Sequence, residues 1–346
     1  MKDNHIEFFE VFNFKKFDHL QVENLGKFNL IVGDNNVGKT TLLESLVLGD
    51  DVRETMSRLL ACLTWRKITY NNNSANYLET YFKNSKNQSI KYTLGNIASM
   101  RKFSFSTVTT ASLSKEQQND LNLRNIGNQP YPFSAILEEE DTTSKAIDFL
   151  NPDASSNSYL PFIHYTITFG SDLIEFYSDI IKENKNSKLE ILSKLRIIIP
   201  EIENIEINSG TMLSTTFLIT LKDQDKPILL NQFGDGTVKL FRYILEIMKC
   251  SGGRVMIDEI DSGLHYSKMK NFLKLIIELS IEKNVQIFAT THSKDCVEYF
   301  TKSLEELRLE QDARIIRLAD TKDGIKSYTM KYDEFKNAIQ SESEIR

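Results

Sequence analysis

"GDNNVGKTTLLE", residues 33–44, directly follows the apolar run FNLIV at 28–32, and this junction decides the fold. The apolar run predicts a strand buried on both faces, and the residues after the glycines recur with helical spacing. Between the two, Gly33 to Thr40 fit the pattern G-x-x-x-x-G-K-[ST] in full. Strand, glycine-rich loop and helix in this order predict a phosphate-binding loop rather than a chance glycine-rich turn.

The residue types of this loop suit a nucleotide with its Mg²⁺ ion. Glycine lets successive backbone N–H groups turn toward phosphate oxygens, and the following helix adds the positive end of its dipole. We expect Lys39 to neutralise the β- and γ-phosphates of ATP, Thr40 to ligate Mg²⁺ and Thr41 to reach the α-phosphate. The expected ATP-binding residues of this loop are Gly33, Asp34, Asn35, Asn36, Val37, Gly38, Lys39, Thr40 and Thr41.

Two later apolar strands end in polar residues that would complete an ATPase site. RVMIDEID, 254–261, places Asp258 where a carboxylate can ligate Mg²⁺ and Glu259 where it can orient a water molecule as general base. VQIFATTHS, 285–293, ends in His292, which can hydrogen-bond the γ-phosphate. Alone, the acidic pair is also compatible with two solvated acids at a strand end, and a lone histidine is more often a structural surface residue. Their order after the phosphate-binding loop favours catalytic roles for Glu259 and His292, together with Lys39.

Composition narrows the class of protein. Apolar residues make up 40% and charged residues 26%, which is ordinary for a soluble globular chain. The net charge of -6 lacks the basic excess of a dedicated nucleic-acid binder, although a local basic patch is still compatible with it. The three cysteines have no metal-ligand spacing and predict reduced thiols. With no signal-peptide core and no apolar stretch that could cross a bilayer, we expect a cytoplasmic protein without membrane contact.

Together the motifs resemble those of the ABC-type ATPases, and within them the RecF/OLD-type branch. Their order and spacing extend the resemblance over most of the chain. It implies an α/β head: a mixed or parallel sheet with flanking helices and N-terminal antiparallel strands, plus an inserted β and helical lobe. The segments that carry the match are FNLIVGDNNVGKTTLLE (28–44), FGDGTVKLF (233–241), VMIDEIDSGLH (255–265) and IFATTHSKDCVEYF (287–300).

The resemblance implies that two heads sandwich the nucleotide, so the chain is expected to form a homodimer or a higher homo-oligomer. One head supplies the phosphate-binding loop, and the other supplies a signature loop, here Gly234, Asp235 and Gly236, at a helix N-terminus. A plain turn before a helix is the alternative interpretation of this loop. Three departures from the family pattern stand out: the LSGGQ motif is missing, Gln232 stands where related signatures often have a serine, and His265 replaces an aspartate. In addition, residues 160–180 offer no glutamine of the Q-loop type.

Three segments are predicted from these positions. Residues 1–64 form the N-terminal part of the ATPase lobe, with one helical run after the loop, and 226–346 form its C-terminal part. Residues 65–225 form an insertion of antiparallel strands, a polar stretch with a mobile loop, and a helical lobe. Strand, helix and strand in the last segment predict a parallel sheet with crossover helices. Phe14 and Phe17 of the first strands are candidates for stacking on adenine.

The biological process that the ATPase would drive is inferred only from the resemblance to the RecF/OLD-type branch. OLD-type proteins often carry a TOPRIM nuclease after the head, but residues 301–346 contain no Asp-x-Asp pair. The resemblance therefore implies a separate effector protein, such as a TOPRIM or other nuclease, controlled by this ATPase in bacterial anti-phage defence. The alternative is a RecF/SMC-like repair or recombination ATPase that clamps DNA. A transporter subunit and a nucleotide-gated scaffold with little turnover are further alternatives.

Overall fold

The structure is a computed structural model. The mobile loop predicted in the polar stretch lies largely outside the residues that it describes. Within those residues no helix is long and apolar enough to cross a membrane. The described residues are 5–65, 78–84, 89–96, 98–109, 115, 133–140, 145–149, 159–166, 170, 172–208 and 216–340.

Strands and helices alternate most regularly in the last third of the chain. The strands are β1 (Phe8–Phe14), β2 (Phe17–Val22), β3 (Phe28–Gly33), β4 (Ser89–Asn96), β5 (Ser99–Thr109), β6 (Phe133–Glu139), β7 (Lys145–Phe149), β8 (Phe162–Ile163), β9 (Ile202–Asn208), β10 (Thr216–Leu221), β11 (Ile228–Leu229), β12 (Arg254–Ile257), β13 (Gln286–Thr290), β14 (Ala313–Thr321) and β15 (Gly324–Lys331). The helices are α1 (Lys39–Ser45), α2 (Val52–Trp65), α3 (Asp172–Glu183), α4 (Ser187–Leu195), α5 (Asp235–Lys249), α6 (Tyr266–Glu282), α7 (Lys294–Leu307) and α8 (Tyr332–Gln340).

A mixed sheet with the order β15-β14-β3-β13-β12-β8 forms the centre of the head. Its strands from β14 to β8 are parallel, and β15 runs antiparallel to β14. In the register, Ile31 lies opposite Thr290 and Ala289 lies opposite Ile257. The carboxyl ends of β3, β12 and β13 therefore meet at one edge, which brings the phosphate-binding loop and the two later motifs together.

Both faces of this sheet are buried, as the apolar runs predict. Along β3, Leu30 and Val32 belong to one hydrophobic cluster and Ile31 belongs to the other, and the same alternation runs through β12 and β13. The first cluster packs the sheet against helices α3 to α8. The second packs it against α1, α2 and the antiparallel strands near the N-terminus.

An antiparallel sheet with the order β2-β1-β4-β5-β6-β7 covers the second face. Strand β4 pairs directly with β1, with Glu10 opposite Thr93. This sheet is therefore continuous across the boundary predicted near residue 65, and the domain division stays a prediction. A separate three-stranded sheet has the order β11-β10-β9. It lies beside α3 and α4, the helical part of the predicted insertion.

The helical run predicted after the loop is two helices, which corrects that expectation. Helix α1 ends at Ser45 and α2 begins at Val52. Asp51 accepts a hydrogen bond from the Glu54 backbone N–H at 2.8 Å, as an N-cap residue does. Thr55 further accepts one from the backbone N–H of Gly49 at 3.1 Å. These local caps start a new helix where the apolar periodicity alone suggests continuation.

Candidate nucleotide site

The loop after β3 has the backbone that its glycines predict. Gly33 and Gly38 have φ angles of 144° and 107°, in the region that L-residues rarely adopt. A Cβ atom on Gly33 would lie 2.5 Å from the Leu318 carbonyl oxygen, so only glycine fits there. Asn36 also has a positive φ, 67°, which asparagine tolerates better than most residues. The loop therefore curls tightly before α1 begins.

Lys39 lies against the backbone of this loop. Its Nζ donates to the carbonyl oxygens of Gly33 at 2.6 Å and Asp34 at 2.8 Å, and the residue is only 5% exposed. These bonds hold the ammonium group beside the first turn of α1, whose N–H groups favour anions. Asp34 and Asn35 are exposed on the loop, whereas the neighbouring Val37 is buried.

Thr40 and Asp258 are brought together across the sheet edge. The Thr40 hydroxyl lies 3.2 Å and 3.3 Å from the two carboxylate oxygens of Asp258. Thr290, at the end of β13, donates to Asp258 Oδ1 at 2.8 Å and accepts from the Glu259 backbone N–H at 2.8 Å. Asp258 is 2% exposed, so these hydroxyl groups compensate much of its burial.

The Thr40–Asp258 pair suits a magnesium ion. Mg²⁺ prefers hydroxyl and carboxylate oxygens and takes its other ligands from phosphate and water. The described residues contain no cluster of three or more His, Cys, Asp or Glu side chains that could hold a metal on its own. A magnesium ion at this edge would therefore share its ligands between the protein and a bound phosphate chain.

Glu259 has a different environment from Asp258, although the two are adjacent. Its φ of 49° places it in the left-handed region, so the chain turns as it leaves β12. Partial burial raises its pKa, and the carboxylates of Asp258 and Asp261 raise it further, while Lys239 and Lys39 oppose them. A half-buried carboxylate with a raised pKa is suited to accept a proton near neutral pH.

The predicted signature loop stands at the N-terminus of α5. Gly234 is the N-cap residue with a φ of 84°, and with Asp235 it is exposed. A Cβ atom on Gly236 would lie 3.3 Å from the carbonyl oxygen of Gly263, in the segment after the acidic strand. One turn further along α5, Lys239 Nζ donates to the Ser262 carbonyl oxygen at 2.8 Å. The signature helix and the segment after Glu259 are therefore directly connected.

The third motif lies beside the other two. His292 is exposed at the turn between β13 and α7, and Ser293 caps that helix by accepting from the Cys296 backbone N–H. Thr291 donates to Asp261 Oδ1 at 2.7 Å, which ties this turn to the segment after the acidic strand. Thr41 is buried in α1.

Two residues near the site were missed by the sequence analysis. His164 follows β8, which pairs with β12, and its Nε2 lies 3.9 Å from Asp258 Oδ2. It stands in the region where no Q-loop glutamine is found. Lys16, in the turn between β1 and β2, donates to the Asn36 carbonyl oxygen at 2.5 Å. For His164, the short apolar segment that precedes it is a sequence signal for a strand that ends near the site. For Lys16 the sequence offers no such signal.

The two aromatic residues considered for adenine stacking are in the core. Phe14 is 0% and Phe17 is 1% exposed, and Phe17 packs beneath Gly38 of the loop. The Phe17 ring supports the loop from below, and both side chains are too deeply buried to stack on a base.

Fold and site geometry together define a P-loop ATPase head. Residues 28–295 match the model of the family described as "AAA domain, putative AbiEii toxin, Type IV TA system", and the chain belongs to this AAA family. It is 26% identical to an ATP/GTP phosphatase of Helicobacter pylori over 326 residues, which cover 83% of this chain and 85% of that protein. It is 29% identical over 157 residues to an uncharacterized protein of Methanocaldococcus jannaschii, covering 42% of this chain and 70% of that one.

The fold is that of an SMC head. A crystal structure of an SmcHead bound to the C-winged helix domain of ScpA superposes with a TM-score of 0.52 at 13% identity, covering 96% of this chain and 99% of that chain. The predicted fold class, an ABC-type ATPase head with a mixed sheet and N-terminal antiparallel strands, is thereby confirmed.

Proposed function

We propose that this ATPase forms a nucleotide-gated homo-oligomer that controls a separate effector protein, a nuclease, in bacterial anti-phage defence. The observation that supports gating is the connection between the hydrolytic centre and the signature helix. Lys239 of α5 bonds the backbone of Ser262 and carries the charge that lowers the pKa of Glu259. A change of charge at the γ-phosphate would therefore alter the electrostatic interactions of Lys239 on α5. The N-terminus of this helix would meet the partner head.

In this proposal each side chain has a defined task. The loop from Gly33 to Gly38 and the ammonium group of Lys39 hold the phosphate chain, and Glu259 orients and deprotonates the attacking water. His292 contacts the γ-phosphate from the end of β13. Thr40 and Asp258 would hold a magnesium ion, which would supply positive charge beside the phosphates.

Control of a separate partner has support from the comparisons. The SMC head of similar fold is bound to a domain of another protein, ScpA. The family description names a toxin of a type IV TA system, in keeping with a role in defence. The name of the Helicobacter pylori relative, an ATP/GTP phosphatase, supports hydrolysis of a nucleoside triphosphate by this chain.

A DNA clamp is the second candidate function, because the superposable structure is an SMC head. An ATP-closed dimer of this kind would bind DNA through phosphate contacts, with an affinity that falls steeply as salt rises. The net charge of -6 requires those contacts to come from a local patch.

Affinity capture from the native host distinguishes the two functions. Tagged Glu259→Gln protein is purified in ATP and Mg²⁺, and Lys39→Ala protein, which we expect to lose ATP, is the matched control. A nuclease or other effector retained by Glu259→Gln and absent from Lys39→Ala supports the proposal. Recovery of DNA with repair proteins, and no effector, supports the clamp instead. Equal recovery of the effector with both variants would rule out nucleotide gating.

A further inference from the structure

A second cavity lies at the opposite edge of the central sheet from the nucleotide site. Arg254 begins β12, whereas Asp258 follows its last residue, so the strand separates the two regions. The cavity has a volume of about 430 Å³. Its wall combines the end of α1, the start of α2, the turn between β4 and β5, and the segment between α5 and β12. Its size is in the range of small-ligand sites.

The cavity wall carries more positive than negative charge. Arg58, Arg101, Arg254 and Lys249 line it, against the carboxylates of Asp50 and Glu54. Both carboxylates are already engaged: Asp50 pairs with Arg101 at 2.6 Å and Glu54 pairs with Arg58 at 2.8 Å.

Lys249 is engaged as well, because it bonds Asp179 outside the cavity wall at 2.8 Å. Arg254 is thus the lining cation for which the described residues show no ion pair.

Two guanidinium atoms on this wall are buried without a hydrogen-bond partner among the described residues. They are Arg254 Nη1 and Arg58 Nε. Burial and the nearby charge of Arg58 together lower the pKa of Arg254 to about 10, against the opposing charge of Asp50, which is already paired with Arg101. A buried donor without an acceptor destabilises a fold, and so does a buried charge without a counter-charge. An anion between these two arginines would relieve both.

We propose that this cavity binds a small phosphate-bearing molecule through Arg254 and Arg58. Guanidinium groups present paired donors that match phosphate oxygens. Gly252 and Gly253 on the same wall lack side chains, so the backbone there lies close to the cavity. Leu46, Val47 and Met256 lie behind this wall, each no more than 2% exposed. This site is independent of the proposed function of the nucleotide site.

Inorganic phosphate is the probe for this site. All samples carry Lys39→Ala, so that the phosphate-binding loop does not contribute, and ionic strength is held constant with sodium chloride. At a phosphate concentration well above the dissociation constant, we expect the thermal midpoint Tm to rise by about 2 °C. Adding Arg254→Gln should abolish this rise without lowering Tm in phosphate-free buffer, since the repulsion from Arg58 is also removed. Arg58→Gln provides a second variant with the same expected loss.

Lys302→Gln is the matched control, because it removes one positive charge from the exposed face of α7. It should keep the full phosphate-dependent rise. A rise that persists in both arginine variants would show adventitious anion binding elsewhere and overturn the proposal. So would the absence of any rise in the parent protein. A fall in Tm on Arg254→Gln with an unchanged phosphate effect would assign the arginine a structural role only.

Discussion

Asp258 and Glu259 are neighbours in sequence with different surroundings, and the difference comes from one backbone turn. Asp258 directly follows the extended strand β12, and the hydroxyl groups of Thr40 and Thr290 lie beside its carboxylate. Glu259 adopts a left-handed backbone conformation, so its side chain does not follow the alternation of faces that holds along a strand. A non-glycine residue in this region is strained, and such strain concentrates at functional sites. Adjacent carboxylates can thereby serve a metal ion and a water molecule separately.

Replacing Glu259 with glutamine tests its role as the base. Glutamine keeps the shape but cannot accept the proton of the attacking water, so we expect turnover to fall by about 10²–10⁴-fold. ATP binding should persist because the loop and Lys39 are unchanged. Single-turnover hydrolysis and equilibrium ATP binding measure the two properties, with the exposed Glu298→Gln as control. Hydrolysis at the parental rate would exclude Glu259 as the base.

The pH dependence of hydrolysis tests the electrostatic link to α5. Lys239 lowers the pKa of Glu259, so removing its charge raises that pKa further. Because the base acts deprotonated, Lys239→Gln should move the acidic limb of the ATPase pH profile to higher pH. The loss of rate is then larger on the acidic side than on the alkaline side. Lys302→Gln should leave the profile in place, and an unmoved limb in Lys239→Gln would show that the charge does not act on the base.

The roles of individual residues could be predicted from the sequence only where they depend on a local sequence pattern. The bends at Gly33 and Gly38 and the position of Lys39 follow from consecutive residues, and sequence analysis identifies them directly. The contact of His164 with Asp258 depends on the pairing of β8 with β12, two strands that are far apart in the chain. The burial of Phe14 and Phe17 depends on both sheets. Contacts of this kind require the fold.

At the scale of elements, α5 combines the signature loop with a buried ionic group. Arg242 bonds Asp172 of α3 at 2.8 Å and Glu246, one turn along, at 3.2 Å. Arg242 and Glu246 are each 2% exposed. Burial raises the pKa of Glu246 to about 7, against the opposing charge of Arg242. Its Oε2 atom lacks a hydrogen-bond partner among the described residues.

Glu246→Gln should therefore have a pH-dependent effect on stability. A folded pKa raised above the ordinary value means that stability from this group is present at low pH and is lost as pH rises toward about 7. The glutamine variant does not suffer this loss. The difference in Tm between the variant and the parent should therefore be about 2–4 °C more positive near pH 8 than near pH 5. Thermal unfolding at both pH values measures this, with Glu298→Gln as control; a difference that does not change with pH would contradict the raised pKa.

The break between α1 and α2 shows why element boundaries are difficult to predict from periodicity. Apolar residues continue at helical spacing on both sides of Gly49, so the pattern predicts one helix. Asp51 and Thr55 bond the backbone around the break and make two helices more stable than one. The same break opens the wall of the second cavity, which is lined by Gly49 and Asp50.

For the whole molecule, the sequence was enough to predict the parallel sheet and the antiparallel strands, but not that the N-terminal strands and those of the insertion form one sheet. Strand–helix–strand order in the last third leaves few alternatives, because parallel strands need crossover connections. Strand β4 pairs with β5 inside the predicted insertion, and on its other side it joins β1 and extends the sheet of the N-terminal strands. Hydrophobic alternation does not specify the partner of a strand, and only the packing against the second cluster does.

Dimer formation through the heads is the prediction at this largest scale. In the proposed dimer, the signature loop of one protomer completes the phosphate site of the other, and Gln232 and Asp235 are exposed as this requires. Glu259→Gln protein in ATP and Mg²⁺ should therefore have twice the mass of the 39.9 kDa chain by light scattering, whereas in ADP it should be monomeric.

A bulky residue beside the loop should block this contact. Gln232→Trp, added to Glu259→Gln, should keep the protein monomeric in ATP, because the indole ring occupies the space that the partner's phosphate needs. In the parental background it should lower ATPase activity by at least about tenfold without weakening ATP binding, since the transition state would lose the donors of the second head. Lys302→Trp on the exposed face of α7 should change neither property. If Gln232→Trp still dimerised with ATP, the heads would associate through another surface, and the signature loop would lose its assigned role.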